Sequence, residues 1–220
     1  MCCIIGNGVL QGMSVVIGVC GQNFCTFYAD GRRVVKDGSE PNGYRIVGDD
    51  RFQKVFKLNS RVLYGAAGWF DIEEKLLDPV SSIQNIEQAS VKIVKNAVVA
   101  YMRKHSYGEM TLGAGLARSF LVGGKEHDNS YVMYEIMWDY VRAKPHIVER
   151  RPPQNSFGLS MMLPIKEPQL AQRCVARASE LIQKSKTLDE VDHNMSSLIY
   201  SISQLDETVG PSALQVSVQG

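Results

Sequence analysis

The stretch from Ser14 to Asp30, Ser-Val-Val-Ile-Gly-Val-Cys-Gly-Gln-Asn-Phe-Cys-Thr-Phe-Tyr-Ala-Asp, narrows the possible folds of this chain more than any other. Both of its arms are rich in β-branched and aromatic residues: Val15, Val16, Ile17 and Val19, then Phe24, Thr26, Phe27 and Tyr28. Gly21-Gln-Asn23 supplies a short turn between them. The segment therefore reads as a hairpin, and a hairpin brings its distant ends together. Ser14 and Asp30 become neighbours, a hydroxyl beside a carboxylate. A second hairpin follows from Phe52 to Gly68, with Lys54 at its start. Serine, aspartate and lysine on one double hairpin have the makings of a nucleophile site. Taken singly each has a plainer reading: Ser14 starts a strand, Asp30 forms a turn and Lys54 is a solvated strand residue.

Composition suits one compact domain. The chain has 220 residues, is 45% hydrophobic and 21% charged, and carries a net charge of +1. That charge argues against nucleic-acid binding driven by phosphate contacts. No apolar run reaches the length of a membrane span, and no signal peptide is evident. The five cysteines, at positions 2, 3, 20, 25 and 174, make no CxxC pair and have no histidine at ligand spacing. Reduced thiols in a cytoplasmic chain are the expectation, with no metal site.

The pattern alternates between strands and helices. Strands are expected near 14–20, 24–30, 52–58, 61–67, 117–123, 131–138, 145–149 and 213–218. A short helix is expected from Asp71 to Leu77, stopped before Pro79, and a longer one over 87–105 with Val91, Val94, Val98 and Met102 on one face. Pro168 suits the first turn of a third helix. Thr187-Leu-Asp-Glu190 is a capping box that opens a fourth. Residues around Ser160 read as loop, and Cys20 and Cys25 as small core residues facing each other across the first hairpin.

At Ser14-Val-Val, Ala29-Asp30-Gly-Arg, Lys54-Val-Phe-Lys-Leu58 and Gly65-Ala-Ala-Gly68 the chain resembles the proteasome β-subunit family, whose members are N-terminal-nucleophile (Ntn) hydrolases. Leu205-Asp206-Glu-Thr-Val-Gly210 resembles that family's Arg-Asp-x-x-Ser-Gly. The likeness is clearest over residues 14–78, extends to 167–220 and is weak between. It implies an α+β fold, a four-layer αββα sandwich of proteasome type, with residues 1–13 as an extension or propeptide and 14–220 as one domain. It implies a peptidase or amidohydrolase acting on a peptide or other amide, without metal or organic cofactor, and self-association into a ring or other homo-oligomer. It also implies roles: Ser14 as nucleophile, its freed α-amine as base, Lys54 as a positive charge beside them, and Asp30 holding the lysine. Asp206 would help position the N-terminus, and the turn at Gly65 would offer a backbone N–H to the oxyanion.

The chain departs from the family pattern in three respects. Ser14 replaces threonine, which keeps the hydroxyl and loses the methyl that restrains its rotamer. Ser14 is preceded by thirteen residues, so it must be exposed by processing or by translation from Met13. Val209 stands where the family carries a serine. A different nucleophile is also available. Cys2-Cys-Ile-Ile-Gly resembles the Cys-Gly-Ile-Val-Gly start of class II glutamine amidotransferases, and removal of Met1 would free the Cys2 thiol. A non-catalytic chain that keeps the same scaffold as an assembly or binding module is the competing class.

Overall fold

The computed structural model describes residues 15–36, 39–40, 44–68, 76–109, 119–139, 142–163 and 168–220. The first hairpin is β1 (Val16–Cys20) and β2 (Phe24–Asp30). A ribbon of β3 (Val34–Lys36) and β4 (Tyr44–Ile46) follows, then a second hairpin, β5 (Val55–Lys57) and β6 (Val62–Ala67). After α1 (Val91–Glu109) come β7 (Ser119–Lys125), β8 (Tyr131–Asp139), β9 (Lys144–Arg150) and β10 (Gly158–Met162). Two helices, α2 (Pro168–Lys184) and α3 (Leu188–Ser203), precede the last strand, β11 (Ala213–Gln219).

The strands form a four-stranded sheet in the order β10-β1-β2-β11, a five-stranded sheet in the order β5-β6-β7-β8-β9, and the separate β3-β4 ribbon. Every pairing is antiparallel. Between the two larger sheets lie Val16, Phe27 and Ala29 from one and Val55, Leu63, Leu121 and Met133 from the other. The outer face of the four-stranded sheet packs Ile17, Val19 and Tyr28 against Ala178 and Ile182 of α2 and Val191, Met195 and Ile199 of α3. The outer face of the five-stranded sheet packs Tyr64, Phe120 and Ile136 against Val91, Val94, Val98 and Met102 of α1. Because β1 and β2 are covered on both faces, neither strand has an exposed residue. This is why their sequences run as apolar blocks and do not alternate with polar residues.

The expected four-layer αββα sandwich needs correction. The described residues form two antiparallel sheets and three α-helices, unequally shared, with α2 and α3 on one sheet and α1 alone on the other. The helix expected from Asp71 to Leu77 falls mostly outside the described residues. Pro79 sits inside a short 3-10 turn, Asp78–Val80. The ribbon β3–β4 and strand β10 are additions to the expected elements. Strand β10 pairs with β1 through Ser160 opposite Gly18, so the stretch that reads as loop is the edge of the sheet that carries the first hairpin. Thr187 caps α3 as expected, accepting from the Glu190 backbone N–H while the Glu190 side chain accepts from that of Thr187.

Candidate functional site

The site is built around one carboxylate. Asp30 ends β2 and is fully buried. Its Oδ1 accepts from the Val15 backbone N–H at 2.7 Å and from Lys54 Nζ at 2.9 Å. Its Oδ2 accepts from Lys54 Nζ at 2.9 Å, the Arg32 N–H at 3.0 Å and the Gly210 N–H at 3.2 Å. Four donor groups from four chain segments thus converge on two oxygens, which is the environment that a buried carboxylate needs. The hairpin explains half of this, since Val15 and Asp30 lie opposite each other and the Asp30 N–H returns a bond to the Val15 carbonyl at 3.2 Å.

Lys54 immediately precedes β5, and its side chain is almost fully buried. Burial pushes its ammonium below the usual lysine range, while the charge of Asp30 and its hydrogen bonds act in the opposite direction. A second ion pair stands next to this one. Arg32 donates to both oxygens of Asp50, from Nε at 2.8 Å and from Nη2 at 2.6 Å, and from Nη1 to the Glu207 carbonyl at 2.6 Å. The hydrogen bonds raise the guanidinium and lower the Asp50 carboxyl. Gly31, between Asp30 and Arg32, has to be glycine because a Cβ there would stand 2.1 Å from the Asp50 carbonyl oxygen.

The loop after α3 closes the site from the other side. The Asp206 carboxylate accepts from the Thr208 N–H at 2.9 Å and from its hydroxyl at 2.6 Å. The Val209 N–H donates to the Asp206 carbonyl at 3.1 Å. Val209 is fully buried against the helix pair, and Gly210 is thereby delivered to Asp30. Asp206 therefore shapes the loop that completes the shell around Asp30.

Of the residues expected from sequence, the fold brings Asp30 and Lys54 into contact and places the Asp206 loop against them. Ser14 and Cys2 lie outside the described residues, although Val15, the residue bonded to Ser14 in the chain, is held directly by Asp30. Gly65 is not in a turn. It lies within β6, opposite Val55 on one side and Leu121 on the other, and a Cβ there would meet Val16 Cγ1 at 3.1 Å. Its smallness lets the two sheets approach, and the turn falls at Gly68, with φ +107°. Arg32, Asp50 and Glu207 join the site without a clear signal in the sequence. Only the basic residue two positions after Asp30 hints at them.

No protein-family model matches the chain, and no curated protein matches it. Among solved structures it is similar to a chain of the helical assembly of the Anbu complex from Pseudomonas aeruginosa, with a TM-score of 0.57 and 13% identity, over 93% of this chain and 81% of that one. This likeness shows that the two chains share a fold. The expectation that it belongs to the proteasome β-subunit family is corrected by the same findings, because no family model recognises it and 13% identity shows a shared fold alone. Among the described residues no helix is long and apolar enough to cross a membrane, and no group of three or more potential metal ligands occurs.

Proposed function

We propose that the chain is an amide hydrolase that uses an N-terminal nucleophile, latent while residues 1–13 precede Ser14. One observation carries this reading. Asp30 Oδ1 holds both the Lys54 ammonium and the N–H of Val15, so the residue bonded to that nitrogen, Ser14, joins the chain at the buried ion pair. Freed as an N-terminus, Ser14 would offer a hydroxyl and an amine together. The amine takes the hydroxyl proton, the oxygen attacks the carbonyl of a peptide or other amide, and the same proton passes to the leaving amine. Lys54 keeps positive charge beside the α-amine, which favours the neutral base at moderate pH. Asp30 fixes the lysine, and the Asp206 loop fixes Asp30. An oxyanion donor is better sought at the end of β6, beyond Gly65, whose neighbours on both sides are strands. In this reading residues 14–220 act as one cytoplasmic domain that self-associates, as the helical assembly of its structural neighbour suggests.

A specific observation favours a second reading, a non-catalytic assembly or binding module. Val209 is a fully buried apolar residue where a catalytic chain of this type would present a hydroxyl. The intact mass and N-terminal sequence of the protein from its native host separate the two. A chain that begins at Ser14 supports the hydrolase. One that begins at Met1 supports the module, and one that begins at Cys2 transfers the nucleophile to the Cys2 thiol.

A further inference from the structure

The opposite end of the same hairpin carries a second facing pair of side chains. Cys20 is the last residue of β1 and Cys25 the second residue of β2, and they face each other directly. The hydrogen bonds at the two ends of the hairpin define its alternation. Gly21 N–H donates to the Phe24 carbonyl at 2.9 Å next to the turn, and Asp30 N–H donates to the Val15 carbonyl at 3.2 Å at the far end. Counting from either end, Cys20 and Cys25 fall at a non-hydrogen-bonded position. At such positions opposing Cα atoms stand about 4.5 Å apart and the side chains are closest. That separation is within the roughly 4.4–6.8 Å that a disulfide spans.

Both thiols are free and fully buried, and both belong to the core between the two sheets. Burial pushes the Cys25 thiol up, and its hydrogen-bond contact with the Cys20 thiol adds to the rise. The same core holds Tyr131, whose hydroxyl is the one buried side-chain polar atom without a hydrogen-bond partner among the described residues. Burial raises its phenol, and the two thiols contribute further. The pair is one position in from a turn whose Gln22 and Asn23 are exposed. It lies five residues from Asp30 along β2, about 17 Å at strand rise, and so is separate from the ion-pair site.

We propose that Cys20 and Cys25 are a redox-active dithiol that closes to a cross-strand disulfide on reaction with a low-molecular-weight disulfide. One cysteine thiolate attacks a sulfur of the oxidant, forming a mixed disulfide and releasing one thiolate. The second cysteine attacks the protein-bound sulfur, forming the Cys20–Cys25 bond and releasing the other. The oxidant is reduced to two thiols, and the two cysteine protons end on them. The register brings the second thiol opposite the first, so the mixed disulfide is short-lived and no adduct remains.

The test uses the full reduced chain, incubated with glutathione disulfide and digested without reductant. The expected product is a peptide spanning Cys20 to Cys25 that has lost two hydrogens, carries no glutathione and regains both thiols with dithiothreitol. In Cys20→Ser protein, where the resolving thiol is gone, Cys25 should retain one glutathione. Two alkylatable thiols at these positions after incubation of the unmodified chain would overturn the proposal. So would a glutathione adduct that persists on either cysteine of that chain.

Discussion

The two ends of the β1–β2 hairpin share a backbone and a degree of burial, yet one end is ionic and the other apolar. At the Asp30 end, donors arrive from Val15, Arg32, Lys54 and Gly210, and the carboxylate is fully satisfied. At the Cys20–Cys25 end, Val218 lies opposite Cys25 and both thiols belong to the apolar core between the sheets, so only weakly polar thiols are accommodated. What separates them is the supply of partners. A charge survives burial only where several chain segments deliver donors to it, and that requirement makes the ionic end sensitive to single changes.

Parting the ion pair should do the most damage. Lys54→Met leaves Asp30 buried without its counter-charge and should cost about 3–5 kcal/mol, read by urea denaturation. The double variant Asp30→Asn/Lys54→Met should cost clearly less than the sum of the two single changes. Additive losses would mean that the two groups act independently, and the contrast between the hairpin's ends would then have another origin. Gly31→Ala drives a Cβ into the Asp50 carbonyl and should cost about 1–3 kcal/mol, again by denaturation. A neutral result would mean that the Asp30–Arg32 segment yields more easily than its close packing suggests.

Midway along the hairpin, Tyr28 is an intermediate case, a polar group with a single acceptor. Its hydroxyl donates to Asp192, which also accepts from Gln215 Nε2 at 2.7 Å. Burial first, and this hydrogen bond second, hold the phenol above its ordinary value of 10.0. Above that value the unfolded chain gives up a proton that the native chain keeps, so stability falls as pH climbs. Tyr28→Phe should therefore lose less stability than the parent between about pH 9 and about pH 11, in thermal melts across that range. The apolar end should respond least. Cys25→Ala removes one sulfur from the inter-sheet core and should cost about 1 kcal/mol at neutral pH, by urea denaturation.

Much of the hairpin is legible in the sequence. A turn between two β-rich arms fixes a register, and the register makes Asp30 the partner of Val15. Lys54 is legible as the start of the second hairpin. The Arg32–Asp50 pair is not, because its members sit eighteen residues apart on segments that meet only in the folded chain. Strand β10 escapes a sequence reading for a related reason. Gly158-Leu-Ser-Met-Met162 has the composition of a loop, and it becomes a strand because β1, some 140 residues earlier, offers an edge. Gly65 resembles a turn residue in its glycine-rich neighbourhood, whereas its smallness serves close packing of the two sheets. The four-layer expectation counts a helix over Asp71–Leu77, most of which lies outside the described residues, and the described helices are shared unequally, two on one sheet and one on the other.

Whether the Asp30–Lys54 pair serves a nucleophile at residue 14 can be decided on the chain prepared to begin at Ser14. That protein is treated with an acylating β-lactone, and the adduct is located by peptide mass spectrometry. Acylation of Ser14 is expected, abolished in the Lys54→Met protein and absent from the chain that begins at Met1. A Ser14-initiated protein that is folded and remains unlabelled, or is labelled equally without Lys54, would show that the ion pair serves no such nucleophile.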